Sequence, residues 1–199
     1  MSSWADNLNQ LKNDLTAQPM RIAAHKDMPF AIFRYAPTDE FKLRKQLRLL
    51  AITLQQEHGR RVKFVSLARL VWDAVQGHGG TDYLFKTETM RGFHAAQQHI
   101  NHLLTSPDFH PASESLIAQM ATLNPDTDVV FLVRAGGFTP GIFRVSVLLD
   151  ALHRQTKVPV ILFYPGSART GTDLRFYDIP AEGNLGVYNY RVRIYGVES

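Results

Sequence analysis

Residues 129–149 read VVFLVRAGGFTPGIFRVSVLL, and the order of residue types in this stretch decides the fold. Five apolar residues with no polar member predict a strand covered on both faces, as in parallel sheets. A glycine-containing turn follows. Beyond it, Ile142, Val145, Leu148, Leu149 and Leu152 recur at helical spacing and predict a helix over 141–155. The run VPVILFY at 158–164 then predicts a second buried strand, with Pro159 tolerated near its start where the ladder donor is dispensable. A strand, a helix and another strand in succession imply a crossover, and hence parallel pairing.

Working outward, the same alternation appears upstream. PFAIFRYAP predicts a strand over 30–35 between two prolines. Thr38 or Asp39 can cap the next helix, whose Leu43, Leu47, Leu50 and Leu54 share one stripe and which closes at His58 and Gly59. RVKFV at 61–65 predicts another strand, and Ser66 heads a helix that turns Leu67, Leu70, Val71, Ala74 and Val75 inward. The fold class expected is α/β, with a mainly parallel central sheet flanked by helices. An opening helix over 1–18 carries Trp4, Leu8, Leu11 and Leu15 on one stripe, able to dock on the domain or on a partner, and Pro19 ends it. Residues 84–124 are expected to form a helical insertion with helices at about 88–104 and 113–123, after the break QGHGGTD. LRFYDI and NYRVRIYGV alternate polar with apolar residues and are expected as antiparallel edge strands. One domain spanning 1–199 is the expected organisation.

The composition, 45% hydrophobic and 20% charged, suits a globular protein rather than a disordered one. Zero cysteines rule out disulfides, thiol nucleophiles and cysteine metal sites. No apolar run approaches the ~18 to 20 residues that span a bilayer, and the start lacks a charged head followed by an apolar block, so a cytoplasmic location is expected. The net charge of +4 is uneven: residues 1–75 hold 12 Lys or Arg against 7 Asp or Glu. Lys42, Arg44, Lys45, Arg48, Arg60, Arg61 and Lys63 account for most of it. Such a cluster attracts phosphates or an acidic protein face, and is also what a solvated helix face looks like.

The chemistry-bearing residues form no complete catalytic set. RAGGFTPGIFR lacks the lysine and hydroxyl of a P-loop, because Gly141 is followed by Ile142 and Phe143, and its adjacent Gly136 and Gly137 break the dinucleotide pattern. A tight turn before a helix start with Pro140 explains the segment. His94, His99 and His102 share a helix but lack a complete ligand set, so no metal or cofactor is expected. YPGSARTG is no nucleophile elbow. Arg134, Arg144, Arg169 and Arg175 lie near strand ends, where open α/β sheets bind ligands, and bidentate guanidinium groups suit carboxylates and phosphates alike.

Taken together, PFAIFRYAPTDE, FLVRAGGFTP before a helix, and VILFYPG followed by GTDLRFY and NYRVRI resemble the BrxB family of bacteriophage exclusion (BREX) defence systems, from about Pro29 to the end. The helix after the turn, RVSVLLD, is less polar at its start than is usual there. The resemblance implies a component of a multi-protein anti-phage system, associated with PglZ, a larger protein with an alkaline-phosphatase-like domain, and with an ATPase and a DNA methyltransferase. It carries no established catalytic motif. The expected function is a non-catalytic adaptor that binds PglZ or another BREX protein and assists complex assembly. Its expected contacts are Lys42, Arg44, Lys45 and Arg48 on the basic helix, and Tyr164, Arg169, Arg175 and Tyr177 near the C-terminal strands. The alternative is a nucleotide- or nucleic-acid-binding module that uses the 134–141 turn and nearby arginines, with DNA contact indirect.

Overall fold

The computed structural model describes residues 4–22, 29–109, 111–138, 142–168, 174–177 and 192–196. Six strands form one sheet: β1 (Phe30–Tyr35), β2 (Arg61–Ser66), β3 (Asp128–Val133), β4 (Val160–Ala168), β5 (Leu174–Phe176) and β6 (Arg193–Tyr195). The order β2-β3-β4-β1-β6 is parallel throughout, and β5 pairs antiparallel with the far end of β4. The α/β fold with a parallel sheet is thus the one the sequence expects. Of the two C-terminal strands, β5 has the antiparallel direction expected, whereas β6 takes the sheet edge parallel to β1.

Among the described residues there are seven α-helices: α1 (Trp4–Thr16), α2 (Glu40–His58), α3 (Leu67–Gly77), α4 (Gly80–Arg91), α5 (Phe93–Thr105), α6 (Ala112–Met120) and α7 (Val145–Leu152). The period of two in the strands sorts residues between two cores. Ala31, Phe33, Val129, Phe131, Ile161 and Phe163 pack under α1 and α2 with Leu43, Leu47, Leu50 and Leu54. Phe30, Ile32, Val130, Leu132, Val160 and Leu162 pack against α3, α6 and α7. Strands between two covered faces are apolar at nearly every position for this reason.

The crossovers set which helix reaches which strand end. α2 carries the chain from β1 past β4 and β3 to the edge strand β2, so its length lies along the first face. Its leucine stripe is buried as the spacing expects, and Gly59 closes it with φ of 63°, a conformation that suits glycine. Ser66 caps α3 by accepting from the Arg69 amide. The α1 stripe docks on the domain: Leu11 and Leu15 are fully buried, and Tyr195 Oη donates to Asp14 at 2.8 Å while Arg193 pairs with Asp14 at 2.9 Å.

Two boundaries differ from expectation. The insertion holds three helices, because α4 starts at Gly80 within the supposed break, with Gly79 at φ 89° turning the chain into it. α7 starts at Val145 rather than 141. Phe138 and Phe143 bury against each other at 5.0 Å, and the Asn101 side chain donates to the Ile142 carbonyl at 2.6 Å, so residues 142–144 are held outside the helix.

Candidate functional site

The parallel strands deliver their carboxyl ends to one side of the molecule, the position where open α/β sheets place ligands. Tyr35 ends β1, Ser66 ends β2 and Val133 ends β3. α2 begins beside them. Tyr35 Oη donates to Glu40, and Glu40 Oε1 accepts from Arg44 Nε at 2.7 Å, so a buried phenol at a strand end fixes a guanidinium on the helix. Burial, then the hydrogen bond to Glu40, push the Tyr35 phenol above its usual range; burial and the Glu40 charge do the same to Tyr177. Both phenols are therefore neutral at physiological pH. Arg34 is occupied structurally, donating to the carbonyls of Gly196 and Gly166.

A cavity of about 340 Å³ opens between α2 and the ends of β2 and β3. Arg44 and Arg48, one helical turn apart, line one side, and Arg134 lines the other, with Ser66 at the strand end. Leu47, Phe64 and Val133 supply an apolar wall. Phe64 is 39% exposed and meets Phe131 edge-on at 5.6 Å, which sets its ring at the cavity while anchoring its base in the core. Arg134 adopts φ of 58°, uncommon for a non-glycine residue. Among the described residues, the guanidinium groups of Arg48 and Arg134 meet no hydrogen-bonding or ion-pair partner.

The glycine turn itself is filled by protein. A Cβ on Gly137 would lie 2.5 Å from the Ala68 Cα of α3, and one on Gly136 would strike the Tyr177 hydroxyl. These glycines let the turn pack against α3 and Tyr177, and the Gly137 amide donates to the Arg134 carbonyl at 3.1 Å. The tight-turn reading accounts for this packing without a phosphate. Residues 139–141 lie outside the described residues.

The outer side of α2 is unusual in another way. Phe41, Leu49 and Ile52 are 81%, 50% and 51% exposed. At 100° per residue they cluster opposite the buried leucines, with Lys45 and Arg48 among them. A shallow depression is lined by Phe41, Arg44, Lys45, Arg48 and Leu49. Lys42 lies further round, its ammonium 4.9 Å from the Trp4 ring.

The eight expected contact residues therefore separate. Lys42, Arg44, Lys45 and Arg48 share one helix. Tyr164 is fully buried with its ring 5.2 Å from Phe176, which removes it from any docking surface. The alternation that puts Ile161 and Phe163 on one face puts Tyr164 in the opposite core, which the composition of YPGS hid. Arg175 sits in β5, and Tyr177 is half-buried against the glycine turn. Arg169 lies outside the described residues. The sequence reading missed Phe41, Leu49, Ile52 and Phe64. The signal was present: the apolar positions of α2 fall on two opposite faces, and one face is enough for a core.

A family model described as BREX protein BrxB matches residues 63–194, about two-thirds of the chain. No curated protein and no solved structure matches. The matched segment runs from β2 to β6, and α2 precedes it. Among the described residues, no group of three His, Asp or Glu converges to hold a metal, and no helix is long and apolar enough to cross a membrane.

Proposed function

This chain belongs to the BREX protein BrxB family, and from that premise we propose that it is a non-catalytic adaptor within a BREX defence system, docking PglZ or another BREX protein through the outer face of α2. The observation that carries the reading is a helix apolar on both sides. Water-facing Phe41, Leu49 and Ile52 serve no core, and Lys45 and Arg48 lie among them. Apolar anchors beside arginine are the composition of interface hot spots. At ~1.5 Å rise per residue the 19-residue helix is about 28 Å long, enough to form the centre of a standard-sized interface. Its charge selects an acidic partner surface. The buried leucine stripe holds the face in its bound geometry beforehand, so docking orders little backbone.

The test is co-purification with the neighbouring PglZ-like protein, comparing the native chain with Phe41→Ser, Lys45→Glu and Leu49→Ser combined. None of the three lines the cavity. The native chain is expected to capture the partner at micromolar concentration and the triple variant to lose it, with an unchanged thermal unfolding midpoint. Capture that survives the triple change contradicts docking through α2. No association of the native chain contradicts the adaptor role.

A further inference from the structure

We infer that the cavity between α2 and the carboxyl ends of β2 and β3 binds a planar, phosphate-bearing ligand of the nucleotide class. Two observations converge there. The first is charge without partners: Arg48 and Arg134 approach from opposite walls, and among the described residues neither meets a carboxylate. Other guanidinium groups of this protein are paired, as Arg61 on Asp128 and Arg193 on Asp14 show. The third arginine, Arg44, is aimed by Glu40, itself held by Tyr35. Planar forks of this kind match phosphate oxygens in pairs.

The second observation is the other half of the cavity. A lone phosphate needs no apolar wall, and about 340 Å³ is several times the ~30 Å³ share of one water. Leu47, Val133 and the half-exposed Phe64 ring supply an apolar lining in the same cavity as the cations. A ligand with a flat ring to lie on Phe64 and an anionic tail to reach Arg48 and Arg134 uses both halves. The volume falls in the range of small-molecule sites, and the position at parallel strand ends is where such sites form. Gly136 and Gly137 of the adjoining turn take no part in this site, being packed by Tyr177 and Ala68, and the site does not depend on the docking role of α2.

The test is titration of the full chain with ATP, AMP and inorganic pyrophosphate by calorimetry. ATP is expected to bind once per chain, more weakly as salt is added. Arg134→Gly keeps the positive φ and removes the guanidinium, and Arg48→Ala leaves a good helix former. Each is expected to weaken ATP by roughly tenfold or more, while Lys63→Ala, outside the cavity, leaves affinity unchanged. AMP is expected to bind and pyrophosphate to bind roughly tenfold less tightly than ATP, having no ring. The triple α2 variant is expected to retain ATP binding, which separates this result from the docking test. No saturable ATP binding up to about 1 mM, affinity in both arginine variants unchanged from that of the native chain, or pyrophosphate as tight as ATP would overturn the proposal. An acidic peptide that binds through Arg48 and Arg134 where ATP does not would also overturn it.

Discussion

Two pairs of arginines, at opposite ends of the β2–β3 pair, are used in opposite ways. At the amino end, Arg61 makes a two-pronged contact with Asp128 at 2.7 and 2.9 Å, and Asp128 also accepts from the Asn124 amide and the Thr127 hydroxyl. Arg60 donates to the carbonyls of Asp126 and Ala17. At the carboxyl end, Arg48 and Arg134 stand at a cavity without such partners among the described residues. The residue type is the same, and its surroundings separate structure from readiness to bind. Satisfied guanidinium groups fasten β2 to β3; unsatisfied ones keep their hydrogen-bonding capacity for something outside the chain.

This contrast breaks if mutations at the two ends have similar consequences. The largest effect is expected at the amino end: Asp128→Ala leaves Arg61, the Asn124 amide and Thr127 without their shared acceptor. It is expected to cost about 2 to 4 kcal/mol in urea unfolding. A loss within experimental scatter would mean that the pair is ornamental. Next is Gly137→Ala, which drives a methyl group into the α3 backbone at Ala68. About 1 to 3 kcal/mol of destabilisation is expected, and a neutral result would return the turn to the list of open loops.

A smaller effect follows from pH. Burial pushes the Asp128 carboxyl up, but the hydrogen bonds from Arg61, the Asn124 amide and Thr127 prevail and hold it below its ordinary value of 3.8. Because folding lowers this pKa, the stabilisation is fully present above the ordinary value and is lost as pH falls through the folded-state value. Unfolding followed from pH 6 downward should therefore show a decline in the acid range that Asp128→Asn reduces. An undiminished decline would assign acid sensitivity to other carboxylates. The smallest effect is expected at the carboxyl end, where Arg48→Ala and Arg134→Gly should change stability by no more than about 0.5 kcal/mol. A large loss at either would show that these arginines are structural after all and erase the contrast.

The sequence made much of this fold legible because its signals are local. The leucine stripe of α2, the uninterrupted apolar run of β3 and the Ser66 cap each follow from spacing alone. Where the reading failed, the deciding contacts were distant in sequence. α7 begins late because Phe138 packs on Phe143 and Asn101 reaches Ile142 from another helix. β6 pairs parallel because its neighbour is β1, some 160 residues earlier, a choice no local pattern encodes. At the site, the basic run on α2 was visible, whereas the cavity was not: Phe64, Ser66 and Arg134 join Arg44 and Arg48 only after β2 and β3 pair in register. Tyr164 looked like a surface aromatic until strand alternation assigned it to the core.

The central claim is that α2 presents a preformed apolar and cationic face to a larger BREX protein. Sedimentation velocity of the native chain mixed with the PglZ-like protein at micromolar concentration tests it most directly, repeated with the Phe41→Ser, Lys45→Glu, Leu49→Ser variant. The account predicts a faster-sedimenting complex that the variant does not form. Two separate boundaries with the native chain, or an unaltered complex with the variant, would contradict it.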